Sequence, residues 1–164
     1  MKALFIGRFQ PFHKGHLKAI KYLSDKYDEI IIGVGSSQYS NTVENPFSSD
    51  ERMLMIRESL KQENIKNYKI ILIPDIHNPP KWVDHVLSII SDFDVVVTNN
   101  DLTKKLFLEK GFKIKKTLLY NKKEYSGRVI RKRISDNESW ENFVPKPCIQ
   151  IIKNCDKRIK ELKS

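Results

Sequence analysis

Two histidines three residues apart, His13 and His16, sit in the run Gly7-Arg8-Phe9-Gln10-Pro11-Phe12-His13-Lys14-Gly15-His16, and their types and spacing suit the binding of phosphate. Both rings can face one ligand if a helix opens near Lys14, because residues three apart share a helix face. Gly7 and Gly15 let backbone approach a ligand closely at either end of the run, and Pro11 stiffens the turn between them. A helix that begins here presents unpaired N–H groups and the positive end of its macrodipole, both of which favour an anion. An isolated histidine usually packs or caps a helix, and Arg8 alone would be a surface arginine. Their company is what gives them chemistry.

The elements that must position this loop are legible on both sides of it. Lys2 to Ile6 is a short buried strand, and Leu17, Ile20, Leu23 and Tyr27 recur at helical spacing. Glu29 to Gly35 predicts a second strand ending in a Gly-Ser-Ser loop. Ser48-Ser49-Asp50-Glu51 has the form of a capping box opening a helix with Met53, Ile56 and Leu60 on one face. Lys69 to Ile73 predicts a third strand stopped by Pro74, and Pro79-Pro80 leads into a helix carrying Trp82, Val86 and Ile89. Asp94 to Thr98 is a fourth strand, Leu102 to Lys110 a helix closed by Gly111, and Phe112 to Thr117 a fifth strand. Alternation of this kind predicts an α/β fold, a parallel sheet flanked by helices on both faces. Ligands in such a fold lie beyond the carboxyl ends of the strands, where the signature loop, Gly35-Ser36 and Asn99-Asn100 all fall.

A second constellation, Tyr125-Ser126-Gly127-Arg128-Val129-Ile130-Arg131, stands where the last helix of this kind should open. Ser126 can cap that helix while neighbouring amides face an anion, and Arg131 lies within its first turn or two. The blander alternative is that Arg128 and Arg131 belong to a solvated basic face with Lys132 and Arg133.

These motifs resemble those of the archaeal-type nicotinamide mononucleotide adenylyltransferases, within the nucleotidyltransferase superfamily. G-R-F-Q-P-F-H-x-G-H carries the superfamily's H-x-G-H, with Gln10 where other members have aspartate. The second run is similar to S-G-T-x-[IV]-R, with Arg128 in the threonine's place. Asn45-Pro46-Phe47-Ser48 followed by Glu51-Arg52, and Asp75-Ile76 followed by Trp82-Val83, extend the likeness from Arg8 to about Pro145. The resemblance implies a Rossmann-like fold and transfer of AMP from ATP to nicotinamide mononucleotide, giving NAD+ and pyrophosphate. It implies catalytic roles for His13, His16, Arg8 and Arg131. ATP contacts would come from those four with Gly7, Phe9, Asn99, Asn100, Tyr125, Ser126, Gly127 and Arg128. The mononucleotide would meet Gly35, Ser36, Gln38, Asp75 and Asn78, with Arg52 on phosphate and Trp82 near the nicotinamide. Magnesium would come with ATP, no tightly bound organic cofactor is expected, and a homo-oligomer, a hexamer in form, is suggested.

Composition agrees with this reading without deciding it. The 164 residues predict one domain, 1–164, with an α/β core at 1–117 and the second signature and C-terminal helices at 118–164. No secretory segment or long apolar run appears, so the expectation is a soluble cytoplasmic protein without a membrane partner. The net charge of +10 would suit phosphate-rich substrates or a polynucleotide. No groove-reading motif accompanies the lysines, which argues against a basic RNA-binding protein. Other nucleotidyltransferases, a pantetheine-phosphate adenylyltransferase or a cytidylyltransferase, remain competitors through the shared first signature. Cys148 and Cys155, on a helix with Ile149, Ile152, Ile159 and Leu162, lie too far apart for a disulfide and should pack in the core. They form no ligand cluster with His77 or His85, and no metal site is expected from the sequence.

Overall fold

Residues 1–117 and 125–162 are described by the computed structural model. Five strands among them, β1 (Lys2–Gly7), β2 (Glu29–Gly35), β3 (Tyr68–Ile73), β4 (Val95–Val97) and β5 (Lys113–Lys115), form one parallel sheet in the order β3-β2-β1-β4-β5. Helices α1 (Lys14–Lys26), α2 (Ser49–Gln62), α3 (Pro79–Ile89), α4 (Asp101–Glu109), α5 (Gly127–Ser135) and α6 (Lys146–Glu161) cover it. The pleat sorts their partners. Ala3 and Phe5 face one core with Ile20 of α1, Met55 and Ile56 of α2, Ile130 of α5 and Ile152 of α6. Leu4 and its register partner Ile31 face a second core with Val83 and Val86 of α3 and Phe107 of α4. The chain runs outward from β1 to β2 and β3, then returns to β4 on the other side of β1. This reversal leaves a crevice at the carboxyl ends of β1 and β4.

Several expectations are refined. The buried stripe of α2 is Arg52, Met55, Ile56, Ser59 and Leu60, and Met53 is only half-buried. Its spacing of i, i+3, i+4, i+7 and i+8 is a regular helical face that includes the expected Ile56 and Leu60, with Met55 in place of Met53 and two polar members beside them. On α3 the inward residues are Val83 and Val86, followed by Ile90, while Ile89 is exposed. Strands β4 and β5 are shorter than expected, although Asp94 N–H still donates to Lys2 and Thr98 N–H to Lys115 beyond the ladder's ends. Helix α6 buries both Cys148 and Cys155, which are free thiols. The expected division at 117/118 falls where residues 118–124 lie outside the described residues.

Candidate active site

His13 is the N-cap of α1, with an extended backbone, and the capping is reciprocal. Its Nδ1 accepts from the amides of Gly15 at 3.1 Å and His16 at 3.4 Å, while His16 Nδ1 accepts from the amide of His13 at 3.2 Å. Since each Nδ1 is an acceptor, each ring's proton belongs on Nε2. The two rings stack with centroids 3.6 Å apart, and His16 also stacks on Phe12 and meets the edge of Phe9. Gly15 must be glycine here, because a Cβ would fall 2.9 Å from the His13 ring and 3.2 Å from Tyr125. Burial pushes His13 down to about 3. Burial, and then the neighbouring His13, push His16 well below 6.5. Both rings are therefore neutral Nε2–H donors at physiological pH.

The opposite wall is built by α5. Ser126 caps it through the amide of Val129, and Arg131 donates to the carbonyl of Gln10 at 2.8 Å. A side chain at Gly127 would strike that guanidinium at 2.8 Å and the Gln10 carbonyl at 3.0 Å, so the glycine makes the junction of the two signatures possible. The Gln10 amide in turn pairs with both backbone groups of Phe47, each at 2.9 Å. Burial, with the charges of Arg8 and Arg128 adding to it, lowers Arg131 to about 10, which leaves it charged at pH 7. Between the walls lies a cavity of about 500 Å³ lined by Gly7, Arg8, Phe9, His13, His16, Asn99, Asn100, Tyr125, Ser126, Gly127, Arg128 and Arg131. Phe9 is a buried member of that lining, with φ at +54° and its ring packed on Phe5 and Phe12. The Asn99 side chain is occupied by Thr117, and the Asn100 carbonyl oxygen caps α4.

A second cavity of about 720 Å³ adjoins the first and is lined by Gly35, Ser36, Asp75, Asn78 and Trp82, with His77, Leu102 and Leu106. Ile6, Gly7, Arg8, Thr98 and Asn100 line both cavities. Asp75 Oδ1 accepts the amide of His77, whose Nε2 is hydrogen-bonded to the Tyr39 hydroxyl. Trp82 is half-buried and meets the edge of Phe107 at 5.7 Å.

Two expected contact residues stand elsewhere. Arg52 is 0 % exposed and lines neither cavity. Its guanidinium donates to the carbonyls of Ser48, Arg8, Gly35, Ser36, Ser37 and Tyr39 at 2.9–3.4 Å. With its donors given to six carbonyl dipoles it ties the loop after β2 to the loop after β1; the arginine expected on phosphate stands in this structure as a clamp. Gln38 also lies outside the cavities; its amide pairs with the backbone of Asp75 at 2.8 and 2.9 Å and holds the loop after β3. Sequence reasoning passed over Thr98 and His77. Thr98 was legible as the last residue of a strand at the ligand edge; His77 had no periodic signal. Among the described residues no group of three His, Cys, Asp or Glu side chains could hold a metal ion, and no helix is long and apolar enough to cross a membrane.

Comparison with known proteins adds to this geometry. The cytidylyltransferase-like family matches residues 4–133. The nicotinamide-nucleotide adenylyltransferase of Methanococcus aeolicus is 49 % identical over 164 residues, covering 99 % of this chain and 95 % of that protein. The enzyme of the same name from Thermoplasma acidophilum is 45 % identical, covering 98 % and 91 %. Among solved structures, a bifunctional NMN adenylyltransferase/ADP ribose pyrophosphatase from Francisella tularensis, complexed with AMP and a manganese ion, superposes with a TM-score of 0.81 over 98 % of this chain. At 24 % identity that likeness speaks to the fold, and this chain spans 51 % of the Francisella protein's length.

Proposed function

The chain belongs to the cytidylyltransferase-like family, and we propose from that premise that it transfers the adenylyl group of ATP to nicotinamide mononucleotide, giving NAD+ and pyrophosphate. One observation carries the reading: two cavities of nucleotide size meet at Gly7, Arg8, Thr98 and Asn100. A donor and an acceptor can then lie with their phosphates touching. ATP takes the first cavity, its α-phosphate at the start of α1 and its polyphosphate between Arg8 and Arg131. The mononucleotide takes the second, with its ring towards Trp82 and its sugar and amide towards Asp75, Asn78, Gly35 and Ser36.

The nucleophile is the acceptor's 5′-phosphate, already ionised at neutral pH, so the protein needs no general base. An oxygen of that phosphate bonds to the α-phosphorus in line with the bridging oxygen to the β-phosphate, and that bond breaks as pyrophosphate leaves with the electron pair. Catalysis is then positioning and stabilisation of the charge that accumulates on the equatorial oxygens. His16 supplies a neutral Nε2–H whose orientation is fixed by the Nδ1 bond, and the amides of α1 add the positive end of a helix dipole. The described residues that line the first cavity supply basic and neutral donors and no carboxylate. Magnesium enters as part of the ATP substrate. The family likeness supports a homo-oligomer as well, with a hexamer as the form for light scattering to test, and a cytoplasmic place of work.

The test is to follow NAD+ and pyrophosphate with ATP plus the mononucleotide, beside phosphopantetheine as acceptor and CTP as donor. Formation of both products only with the first pair is expected. Faster turnover with either alternative assigns the chain to another branch of the family.

A further inference from the structure

We propose that Arg128 binds the pyrophosphate end of the nucleotide in the first cavity, as a third arginine beside Arg8 and Arg131. The inference deepens the adenylyl-transfer reading and rests on it. Arg128 is the second residue of α5, directly after Gly127. A cation at that place opposes the helix macrodipole, and the first turn of α5 has no acidic residue to offset it. The side chain is exposed and lines the cavity, and it has no hydrogen bond or ion pair to any described residue. Among the described residues Arg8 is held by Asn45 at 3.3 Å, and Arg131 spends one nitrogen on the Gln10 carbonyl. Three guanidinium groups therefore line one cavity, with no carboxylate among the described residues that line it. Burial first, and then the charges of Arg8 and Arg128, push Arg131 down, with Glu44 opposing them in part. An arrangement that is electrostatically unfavourable in the free protein becomes favourable when a polyanion enters between the groups. Pyrophosphate carries several charges over two phosphorus centres and can accept from more than one guanidinium at once.

The experiment measures binding of inorganic pyrophosphate, ATP and AMP to the whole chain, and the apparent KM of each substrate, for Arg128→Thr and Arg128→Lys. Charge-assisted contacts of this type contribute enough to change affinity roughly ten- to a hundredfold. Arg128→Thr should weaken pyrophosphate and ATP by that factor, leave AMP and the mononucleotide within about twofold, and be partly rescued by Arg128→Lys. Lys132→Ala, which removes an equal charge from the exposed face of α5 where Lys132 pairs with Asp136, should leave all four unchanged. Unaltered pyrophosphate affinity in Arg128→Thr overturns the proposal, as does an equal loss for AMP or an equal effect from Lys132→Ala. If the unsubstituted protein itself binds neither pyrophosphate nor ATP, the adenylyl-transfer reading fails first, and the two failures are distinct.

Discussion

His13 and His16 hold each other in place through their own backbone, each Nδ1 accepting an amide of the same turn. That mutual arrangement commits both rings to one tautomer before any substrate arrives, so under the proposed mechanism no reorganisation is needed as charge builds up on the α-phosphate. In the free protein, imidazole nitrogen shifts should report both rings as neutral Nε2–H at pH 6 and still neutral at pH 5; titration near 6.5 would contradict the buried arrangement. His16→Ala should lower turnover on the order of 10²-fold or more while binding of ATP changes far less, as expected of a donor that acts on developing charge. Near-normal turnover in a folded variant removes His16 from the chemistry. Trp82 offers a second residue-scale test. If it stacks on the acceptor's ring, Trp82→Ala raises the KM for the mononucleotide and leaves that for ATP nearly unchanged. Equal effects on both, or unfolding, would mark it as a packing residue of α3 against Phe107.

At the scale of elements, loops are held by side chains that reach across from regular structure. Arg52 on α2 ties the β1 and β2 loops, Gln10 ties the signature loop to Phe47, and Gln38 ties the β2 loop to the β3 loop. Removing the Arg52 guanidinium takes a donor from six part-buried carbonyls, of which those of Ser36 and Ser48 keep a backbone partner, and each one left unpaired and buried costs about 1–3 kcal/mol. Arg52→Ala should therefore destabilise the fold by roughly 3 kcal/mol or more in urea denaturation. Arg52→Lys should recover only part of this, since one ammonium group cannot span the same six carbonyls. A direct phosphate contact would behave otherwise, with Arg52→Lys keeping its stability and losing ATP affinity.

Over the whole molecule, acid sensitivity follows from groups held in their unusual protonation states. Glu51 closes the capping box of α2 and receives Arg158 and the Cys155 thiol from α6. Burial alone would raise its carboxyl, but the hydrogen bonds from Arg158, Cys155 and Ser48 outweigh it and hold the group at about 2. A depressed carboxyl contributes stability above its unfolded value of 4.5 and loses it as pH falls towards 2. His13 acts in the same direction at higher pH: the unfolded chain takes up a proton near 6.5 while the folded one refuses it until about 3. Stability should thus decline from about pH 6.5 downward and more steeply below 4.5. In thermal melts across that range, His13→Asn, which keeps an N-cap acceptor, should flatten the upper part. Glu51→Gln should flatten the lower part; a wild-type profile level from pH 7 to 4 would refute both assignments.

Local chemistry was enough for the sequence to determine a great deal. Apolar runs with turn residues at their ends marked the strands, Ser48-x-x-Glu51 opened α2, and the glycine, arginine and histidine spacing pointed to the start of α1, where the structure has a cavity. These depend on residues close in sequence, whose meaning survives without the rest of the chain. The tertiary structure decided what lies across space. Nothing near Arg52 in sequence says that its donors are consumed by carbonyls 4 to 44 residues away, or that this arginine shares the buried face of α2 with Ile56 and Leu60. Gln38 was spoken for by Asp75, 37 residues on, and the pairing of Arg131 with Gln10 spans 121. A polar side chain carries no mark of whether its partner will be a ligand or distant backbone, because that depends on which loops the sheet order brings together. The parallel arrangement with β4 returning beside β1 made that choice, setting both cavities side by side at one crevice.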